Sequence, residues 1–163
     1  MDYLYAPWRD TYFTEKKEGC VFCHISTHPD LDEKHHVLYR DEHCFIVMNR
    51  FPYTPGHFMV IPHYHTDAIE ALDEEVWLHL SGIVLKCTKM LKVGFHAQGV
   101  NLGMNLGKSA GAGIAEHVHY HIIPRWVGDT NFITTIADTR VYSSDFENIY
   151  QKIKTLIPEF LSC

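Results

Sequence analysis

The sequence predicts one α+β domain built on an antiparallel sheet of about five strands, and three observations lead to this fold class. Short stretches rich in β-branched and aromatic residues follow one another with turn residues between them, as in a meander of strands. One long amphipathic segment and a second one near the C-terminus have the spacing of helices. The chain of 163 residues suits one domain better than two.

Each predicted strand is short and ends at a turn or a proline. The five strands cover, in chain order, residues 37–40, 44–49, 57–62, 100–105 and 118–124. The polar stretch at 26–36 is predicted to be a loop, and a turn at 41–43 joins the first two strands. The segment RFPYTPG at 50–56 contains two prolines and a glycine, which the interior of a strand excludes, so we interpret it as a connection.

Two helices complete the predicted fold. The longer one covers residues 73–91, where Asp73 is a candidate N-cap, the next two glutamates favour the first turn, and Gly94 is a candidate stop. Its apolar stripe contains Val76, Trp77, Leu80, Val84, Cys87 and Leu91. The C-terminal helix covers residues 146–160, and its apolar face contains Ile149, Ile153, Leu156 and Ile157.

Composition disfavours several classes of protein. The net charge of -6 disfavours a protein that binds nucleic acid through bulk electrostatics. No run of about 18 apolar residues predicts a membrane span, and the N-terminus MDYLYAPWRD lacks the apolar segment of a secretory signal. An odd number of cysteines, five, favours the reducing cytoplasm over a disulfide framework. We therefore expect a cytoplasmic protein without a nucleic-acid or membrane partner.

Three histidines occupy every second position in the segment EHVHYHIIPRW at 116–126. On a strand, His117, His119 and His121 would share one face, about 6.6 Å apart along the axis, and the residues between them would face the core. Such a face could be a tolerant exposed surface, a metal site or a site for nucleophilic catalysis at phosphorus. The glycine-rich GKSAGAG directly before it supplies backbone N–H groups that can approach a phosphate, and Lys108 would add charge.

These segments resemble the histidine triad (HIT) family, whose signature alternates three histidines with apolar residues. HVHYHII at 117–123 matches that signature. VMNRFPYTPGHFMVIP at 47–62 and NLGKSAGAG at 105–113 agree with the family in order and spacing. RWVGDTNFI at 125–133 is similar to the branch that contains bacterial diadenosine tetraphosphate phosphorylases and related dinucleoside polyphosphate hydrolases.

The resemblance also implies the extent of the domain and its assembly. It implies a HIT-like fold over 1–163, with a core at about 20–126, an N-terminal arm at 1–19 and a C-terminal extension at 127–163. A homodimer is implied as well, with the helix at 73–91 and a strand edge at the interface.

For the chemistry, the resemblance implies a nucleotidyl hydrolase or transferase that needs no metal at the reacting phosphate. The middle histidine, His119, would attack the α-phosphorus and become a nucleotidyl-histidine, with its ring oriented by a backbone carbonyl near His117. His121 and His57 would flank the phosphates. Water, or inorganic phosphate in the phosphorylases, would then release the nucleotide.

Further residues match positions that hold substrate in the family. Asn49 matches the position that holds the ribose hydroxyls, although on its own it would be interpreted, like His57, as a polar cap at a strand end. The phosphates would lie near Asn105, Lys108, Gly111 and Gly113. The base would lie in an apolar slot formed by Phe22, Phe45 and Val47.

One stretch departs from the family. Many relatives carry a serine or glutamine a few residues before the triad, where this chain has Ala112, Gly113 and Ile114. Either backbone N–H groups replace that side chain, or the second half of the reaction differs. The choice between phosphorolysis and hydrolysis therefore stays open.

A C-x-x-C pair, Cys20 and Cys23, supplies half of a tetrahedral zinc site. In zinc-bearing bacterial members of the HIT family, the positions that match His65 and His117 complete a Cys2His2 site, so the resemblance implies a structural zinc ion on these four residues. His63, in the same short turn, is the rival of His65. A redox pair and two ordinary buried cysteines are the alternatives to zinc.

The remaining histidines are expected to be solvated or locally hydrogen-bonded. They are His24, His28, His35, His36, His43, His79 and His96.

The leading hypothesis is a cytoplasmic enzyme that cleaves a dinucleoside polyphosphate, with diadenosine tetraphosphate as the first candidate, through a covalent intermediate on His119. One rival within the same chemistry is the cleavage of nucleoside phosphoramidates or adenylated amines. The rival from a different class is a non-enzymatic module that binds nucleotide or zinc and uses the triad only to hold its ligand.

Overall fold

The computed structural model of the chain describes residues 19–137 and 145–161. The strands are β1 (Val37–Arg40), β2 (Cys44–Met48), β3 (Phe58–Pro62), β4 (Gly99–Gly103) and β5 (Tyr120–Arg125). The α-helices of the described part are α1 (Val21–Thr27), α2 (Glu74–Val93), α3 (Phe132–Ala137) and α4 (Phe146–Leu161). Among these helices, none combines the length and the apolar character needed to cross a membrane.

The strands form one antiparallel sheet in the order β1-β2-β3-β5-β4. Strand β5 therefore lies between β3 and β4, and His121 is paired with Met59 on one side and with Gly103 on the other. Phe58, the first residue of β3, is paired with Ile122. This register places the connection that precedes β3 beside the histidine-bearing strand.

The side chains of β2 alternate between two apolar clusters, one on each face of the sheet. On one face, Ile46 and Met48 pack with Val60 and Ile122 in the main core, which also contains the apolar stripes of α2 and α4. The smaller cluster on the other face consists of Phe22, Ile25, Val37, Phe45, Val47, Met59 and Ile61. Helix α1 therefore packs on the face that carries His121, opposite the two long helices.

The predicted strands and helices are all present, and each observed end lies within two residues of the predicted one. The α2 residues Leu80, Val84, Cys87 and Leu91 are buried, as the predicted stripe requires. Asp73 occupies the N-cap position of α2, but its side chain makes no capping hydrogen bond. Helical periodicity for the two long helices, together with β-branched runs and turn residues for the strands, was thus sufficient to locate the main elements of the fold.

Helices α1 and α3 are not predicted from the sequence, and α1 replaces the start of the loop predicted at 26–36. Both have seven residues or fewer, which is too short to show a helical period. The strand predicted at 118–124 begins at Tyr120, because the backbone N–H of Val118 donates to the carbonyl of Thr66 at 2.8 Å. The arm predicted at 1–19 lies outside the described residues except for Gly19, and the C-terminal extension is described in part.

The carboxylate of Asp41 links the β1–β2 turn to α2. One of its oxygens accepts the backbone N–H groups of His43 and Cys44, each at 2.9 Å, and the other accepts Nε2–H of His79 at 2.7 Å. Burial alone would raise the pKa of Asp41, but these hydrogen bonds lower it. Potential metal ligands also meet here, on the side chains of Asp41, Cys44 and His79. However, the 2.7 Å between Nε2 of His79 and the carboxylate of Asp41 is the length of a direct hydrogen bond between these two groups.

Candidate active site

His119 lies directly before β5 with its ring buried and its two nitrogens in different roles. Its Nδ1 lies 2.8 Å from the backbone carbonyl oxygen of His117, so Nδ1–H donates to that carbonyl. The neutral ring then carries its lone pair on Nε2, which is the form that a nucleophile requires. This contact is the one that the sequence resemblance implies for the middle histidine.

His57 and His121 form a hydrogen-bonded pair beside His119. Nε2 of His57 lies 2.9 Å from Nδ1 of His121, and the backbone N–H of Tyr53 donates to Nδ1 of His57 at 3.2 Å. Because Nδ1 of His57 accepts, its proton is assigned to Nε2, which donates to His121. His121 consequently carries its own proton on Nε2. Its ring lies edge-on to that of His119, with the centroids 4.9 Å apart.

Asn49 follows β2 and lies against the same pair of histidines. Its side-chain oxygen accepts the backbone N–H of Phe51 at 2.9 Å. Its Nδ2 lies 3.3 Å from Nε2 of His57, a contact without a hydrogen bond in the assigned tautomer, because both nitrogens carry hydrogen. The backbone N–H of Asn49 donates to the carbonyl of His57 at 3.0 Å, which extends the pairing of β2 with β3. The structure therefore brings Asn49, His57, His119 and His121 together.

Burial makes these imidazoles difficult to protonate. It lowers the pKa of His57 to about 3 and that of His121 to about 4, and the neighbouring histidines would further repel a charged ring. Burial also lowers the pKa of His119, although the hydrogen bond to the carbonyl of His117 opposes this shift. At neutral pH the three rings are uncharged, which keeps Nε2 of His119 available as a nucleophile.

The apolar slot predicted from Phe22, Phe45 and Val47 is a filled cluster in this structure. Each of the three side chains is 3% exposed or less. The ring of Phe22 also contacts that of His119, with the centroids 5.1 Å apart, and Ile114 packs on the same cluster. Helix α1 therefore supplies one wall of the histidine site. A base that entered between these side chains would have to displace them.

The glycine-rich segment leads from β4 to the histidines. Strand β4 ends at Gly103, which is paired with His121, so the segment starts beside the site and returns to it. Four residues predicted to contact phosphate lie in it, and all are at least partly accessible: Asn105, Lys108, Gly111 and Gly113. Gly111 has a φ of 89°, in the left-handed region that favours glycine.

Four potential metal ligands meet around His117. The Sγ atoms of Cys20 and Cys23 and a ring nitrogen of His65 and of His117 all lie within 4.8 Å of one another. Nδ1 of His117 lies 3.4 Å from Sγ of Cys20 and 3.3 Å from Nδ1 of His65. Sγ of Cys23 lies 3.7 Å from Nδ1 of His117 and 3.1 Å from Nδ1 of His65. Tetrahedral zinc, with bonds of about 2.0–2.3 Å, separates its ligands by about 3.3–3.8 Å, so this donor set fits zinc.

The structure distinguishes His65 from its rival His63. Both nitrogens of His63 are engaged elsewhere, Nδ1 with Oγ of Ser26 at 2.7 Å and Nε2 with the carbonyl of Asp41 at 3.0 Å. The cysteines of the described chain, Cys20, Cys23, Cys44 and Cys87, are free thiols. Burial is the largest cause that raises the pKa of Cys23, and the neighbouring Cys20 raises it further. A bound cation would have the opposite effect, because it stabilises thiolates.

His117 connects the metal group to the candidate nucleophile. Its Nε2–H donates to the carbonyl of Pro62 at 3.0 Å, which leaves the lone pair of Nδ1 facing the cysteines. Burial lowers the pKa of His117 to about 4, so the ring is neutral at physiological pH. Its backbone carbonyl accepts Nδ1–H of His119. His117 therefore belongs to the group of potential metal ligands and also orients the ring of His119.

Two contributors to the site are not predicted from the sequence. They are the carbonyl of Pro62, which sets the tautomer of His117, and the backbone N–H of Tyr53, which sets that of His57. Backbone groups have no side-chain pattern by which a sequence could identify them. The sequence feature that could have drawn attention to Tyr53 is its place in the RFPYTPG stretch, which directly precedes His57.

Comparison with known proteins agrees with this geometry. The chain matches the model of the HIT domain over residues 31–127. An AP-4-A phosphorylase of Mycobacterium tuberculosis is 40% identical over 110 residues, which cover 68% of this chain and 56% of that protein. The chain thus spans little more than half the length of this relative. A bis(5'-adenosyl)-triphosphatase of Dictyostelium discoideum is 30% identical over 97 residues, which cover 60% of this chain and 64% of that protein.

Among solved structures, a zinc-bound histidine triad family protein from Mycobacterium smegmatis has a similar fold. It superposes with a TM-score of 0.70 at 27% identity, covering 86% of this chain and 94% of that one. The α+β architecture predicted from the sequence is therefore confirmed.

Proposed function

Because this chain belongs to the histidine triad (HIT) family, we propose that it cleaves dinucleoside polyphosphates, with diadenosine tetraphosphate as the first candidate substrate. The observation that carries this proposal is the hydrogen bond from Nδ1 of His119 to the carbonyl of His117. It leaves an unprotonated Nε2 in a buried, uncharged site. The names of two relatives support the substrate class, since one is an AP-4-A phosphorylase and the other a bis(5'-adenosyl)-triphosphatase.

In the first step, Nε2 of His119 attacks the α-phosphorus of one adenosine, and the P–O bond to the rest of the polyphosphate breaks. With diadenosine tetraphosphate, this step leaves an adenylyl group on His119 and releases ATP. The neutral ring of His121, with its proton on Nε2, donates a hydrogen bond where negative charge develops on the phosphate oxygens.

The second step returns His119 to its free form. Attack by water releases AMP, and attack by inorganic phosphate releases ADP. The chain has no polar side chain at Ala112, Gly113 and Ile114, so backbone N–H groups near Gly113 would hold the second nucleophile. The identity of that nucleophile distinguishes a hydrolase from a phosphorylase.

The substrate contacts follow from the same assignment. Asn49 would hold the ribose hydroxyls, since its side chain lies against His57 at the edge of the histidine cluster. The accessible loop between β4 and β5 would hold the phosphates through Asn105, Lys108, Gly111 and Gly113. The base would contact Phe22, Phe45 and Val47 once these side chains move apart.

The second part of the proposal is a structural zinc ion on Cys20, Cys23, His65 and His117. The distances between the four donors support it, as does the hydrogen bond that directs Nδ1 of His117 towards the cysteines. When bound, zinc would keep both thiols ionised and hold His117 in place. It would not contact the reacting phosphate, so the chemistry stays with His119.

Free thiols in the described chain are consistent with a reducing compartment such as the cytoplasm.

The proposal is tested by product analysis after incubation with diadenosine tetraphosphate, with and without inorganic phosphate. His119→Ala serves as the blank, because it removes the nucleophile while leaving the other nucleotide contacts in place. A loss of turnover on the order of 10⁴-fold or more is expected for this variant, with nucleotide binding largely retained.

Each pattern of products has one meaning. ADP and ATP that appear only with phosphate identify a phosphorylase, whereas AMP and ATP that appear regardless of phosphate identify a hydrolase. An intact dinucleotide in every tube would refute the substrate assignment and make nucleoside phosphoramidates the next panel. If those too remain intact while nucleotide still binds, the chain is a binding module and not an enzyme.

A further inference from the structure

Tyr53 contacts both histidines that lie beside the nucleophile. Its ring centroid lies 4.7 Å from that of His57 and 5.7 Å from that of His121, and both pairs of rings are tilted by 40° or less. Its backbone N–H donates to Nδ1 of His57 at 3.2 Å. One residue therefore touches the pair through its main chain and through its side chain.

The position of Tyr53 between the histidine pair and solvent gives its ring a physical effect. The side chain of Tyr53 is 43% exposed, that of His57 is fully buried, and that of His121 is partly buried. The aromatic ring thus excludes water from one side of the pair. Water at that side would solvate a charged imidazole, so its exclusion keeps both rings neutral.

The connection that carries Tyr53 is held in place by the residues that follow it. The next residue, Thr54, is buried and donates its hydroxyl to the carbonyl of Pro124 in β5 at 3.2 Å. At Gly56, which has a φ of 81°, an added Cβ would lie 3.0 Å from Pro124 and 3.1 Å from Phe95. These contacts fix the path of the chain, so the ring of Tyr53 is positioned before any substrate arrives.

We propose that Tyr53 is a positioning residue for His121, acting through its ring, which covers the His57–His121 pair, while its backbone N–H fixes the tautomer of His57 as that of any non-proline residue here would. The chain of hydrogen bonds runs from the N–H of Tyr53 to His57 and from Nε2–H of His57 to Nδ1 of His121. It leaves Nε2–H of His121 as the only proton that this ring can offer. Tyr53 thereby acts on the phosphate through His121.

The groups around His121 are few. Among the described residues, the titratable side chains whose rings contact it are His57 from the start of β3, His119 from its own segment, and Tyr53. On the β4 side it is paired with Gly103, which has no side chain. Burial is the largest cause that lowers the pKa of His121, and repulsion by a charged His119 is the next, so the solvent cover has a large influence on whether this ring takes up a proton.

The role assigned to Tyr53 rests on the proposed function, but its first measurement does not need activity. Nitrogen NMR of the histidine rings follows the protonation of His121 with pH in the parent, in Tyr53→Ala and in Tyr53→Phe. The His121 signal is identified by its loss in His121→Gln. We expect Tyr53→Ala to raise the midpoint by at least about one pH unit, towards the value of an exposed ring. Tyr53→Phe keeps the ring and should titrate like the parent.

The second measurement is the pH profile of kcat/KM for diadenosine tetraphosphate. The acid limb of Tyr53→Ala should move to higher pH by a similar amount, and that of Tyr53→Phe should not move. Thermal unfolding and zinc content are compared for all variants, and Tyr53→Leu, which keeps partial cover, should give an intermediate shift if Tyr53→Ala is poorly folded.

A folded Tyr53→Ala with the parental midpoint for His121 would overturn the proposal, as would a Tyr53→Phe that shifts like Tyr53→Ala. The two hypotheses fail separately. A parent that cleaves no dinucleotide refutes the proposed function, while the NMR midpoint still decides whether Tyr53 controls His121. A shifted midpoint with an unmoved acid limb would show that the cover exists but does not serve the reaction.

Discussion

Three histidines of the site owe their protonation pattern to a backbone group, and the fourth, His121, owes it to the ring of His57. The carbonyl of Pro62 fixes the proton of His117, the carbonyl of His117 fixes that of His119, and the N–H of Tyr53 fixes that of His57. These contacts support separate roles for identical side chains, which we propose to be metal ligand, nucleophile and proton donor. At the residue scale, function is set by the hydrogen-bond partner of each imidazole.

We predict that the folded protein loses stability as the pH falls below 6.5, and that His57 contributes to the loss. Above pH 6.5, the ring is neutral in both the folded and the unfolded chain and contributes nothing. Between 6.5 and about 3, the unfolded chain binds a proton that the folded chain excludes. The free energy of unfolding should therefore decrease by up to about 1.4 kcal/mol per pH unit from this group.

Urea unfolding of the parent and of His57→Gln at about pH 7 and about pH 5 measures this contribution, since the variant should show a smaller decrease. Asn49→Ala is the matched control, because it removes a neighbour of His57 that does not titrate. Equal decreases in the parent and in His57→Gln would show that the buried ring takes up its proton without unfolding.

At the scale of elements, the seven-residue helix α1 has a large influence on the site. It carries Phe22, which packs against His119, and it begins next to Cys20 and contains Cys23. Its position on the sheet depends on a small apolar cluster and on the contacts of the two cysteines with His65 and His117. A metal ion at this point would tie α1 to the histidine segment.

We predict that Cys23→Ser abolishes zinc binding and loosens α1. The parent, purified without added metal, should contain about one zinc per chain and the variant less than about 0.2. The thermal midpoint of the variant should fall, since metal binding contributes to folding. Cys87→Ala, which changes a buried cysteine of α2, should retain its zinc. Elemental analysis decides the question, and a parent with less than about 0.2 zinc and no gain on reconstitution would exclude the metal.

The elements also show which features a sequence can predict. The two long helices were predictable because burial of one face imposes a period on them. The strands were predictable because runs of β-branched and aromatic residues lie between turn residues. Helices α1 and α3 were not, because each is too short for a period and each depends on what it packs against. The same limit applies to the start of β5, which is set by a hydrogen bond from Val118 to the distant Thr66.

At the scale of the whole molecule, one edge of the sheet and one face of α2 are candidates for the homodimer interface. Strand β4 is the last strand of the sheet, with one neighbour. On α2, Leu78 and Leu85 are 61% and 72% exposed and lie seven residues apart, so they share a face. Exposed leucines at this spacing are typical of a helix face that packs on another surface.

We predict that the parent is a dimer and that Leu85→Glu shifts it to a monomer. A charge on this face would be buried without a partner in the dimer, which opposes association but leaves the monomer fold intact. Gel filtration with light scattering measures the mass of each species. Thr155→Glu, on the exposed side of α4, is the control and should remain dimeric. A parent that elutes as a monomer would contradict the assembly that the resemblance implies.

The sequence by itself determined the fold class and the order of the main elements, and it supplied the candidate residues for the chemistry. It could do so because burial of one helix face leaves a period, because turn residues separate the short strands, and because the three histidines and the two cysteines occur at spacings that few other functions require. The separate roles expected for the three histidines came from the family resemblance and not from their spacing.

Tertiary structure alone decided how those residues are joined. It selected His65 over His63, since both nitrogens of His63 are engaged elsewhere. It showed that Phe45 and Val47 are packed and that the ring of Tyr53 contacts those of His57 and His121. These features depend on backbone groups and on residues far apart in the chain, which meet only when the strands pair and the helices pack on the sheet. A linear pattern records which side chains are present, but not which carbonyl or amide faces them.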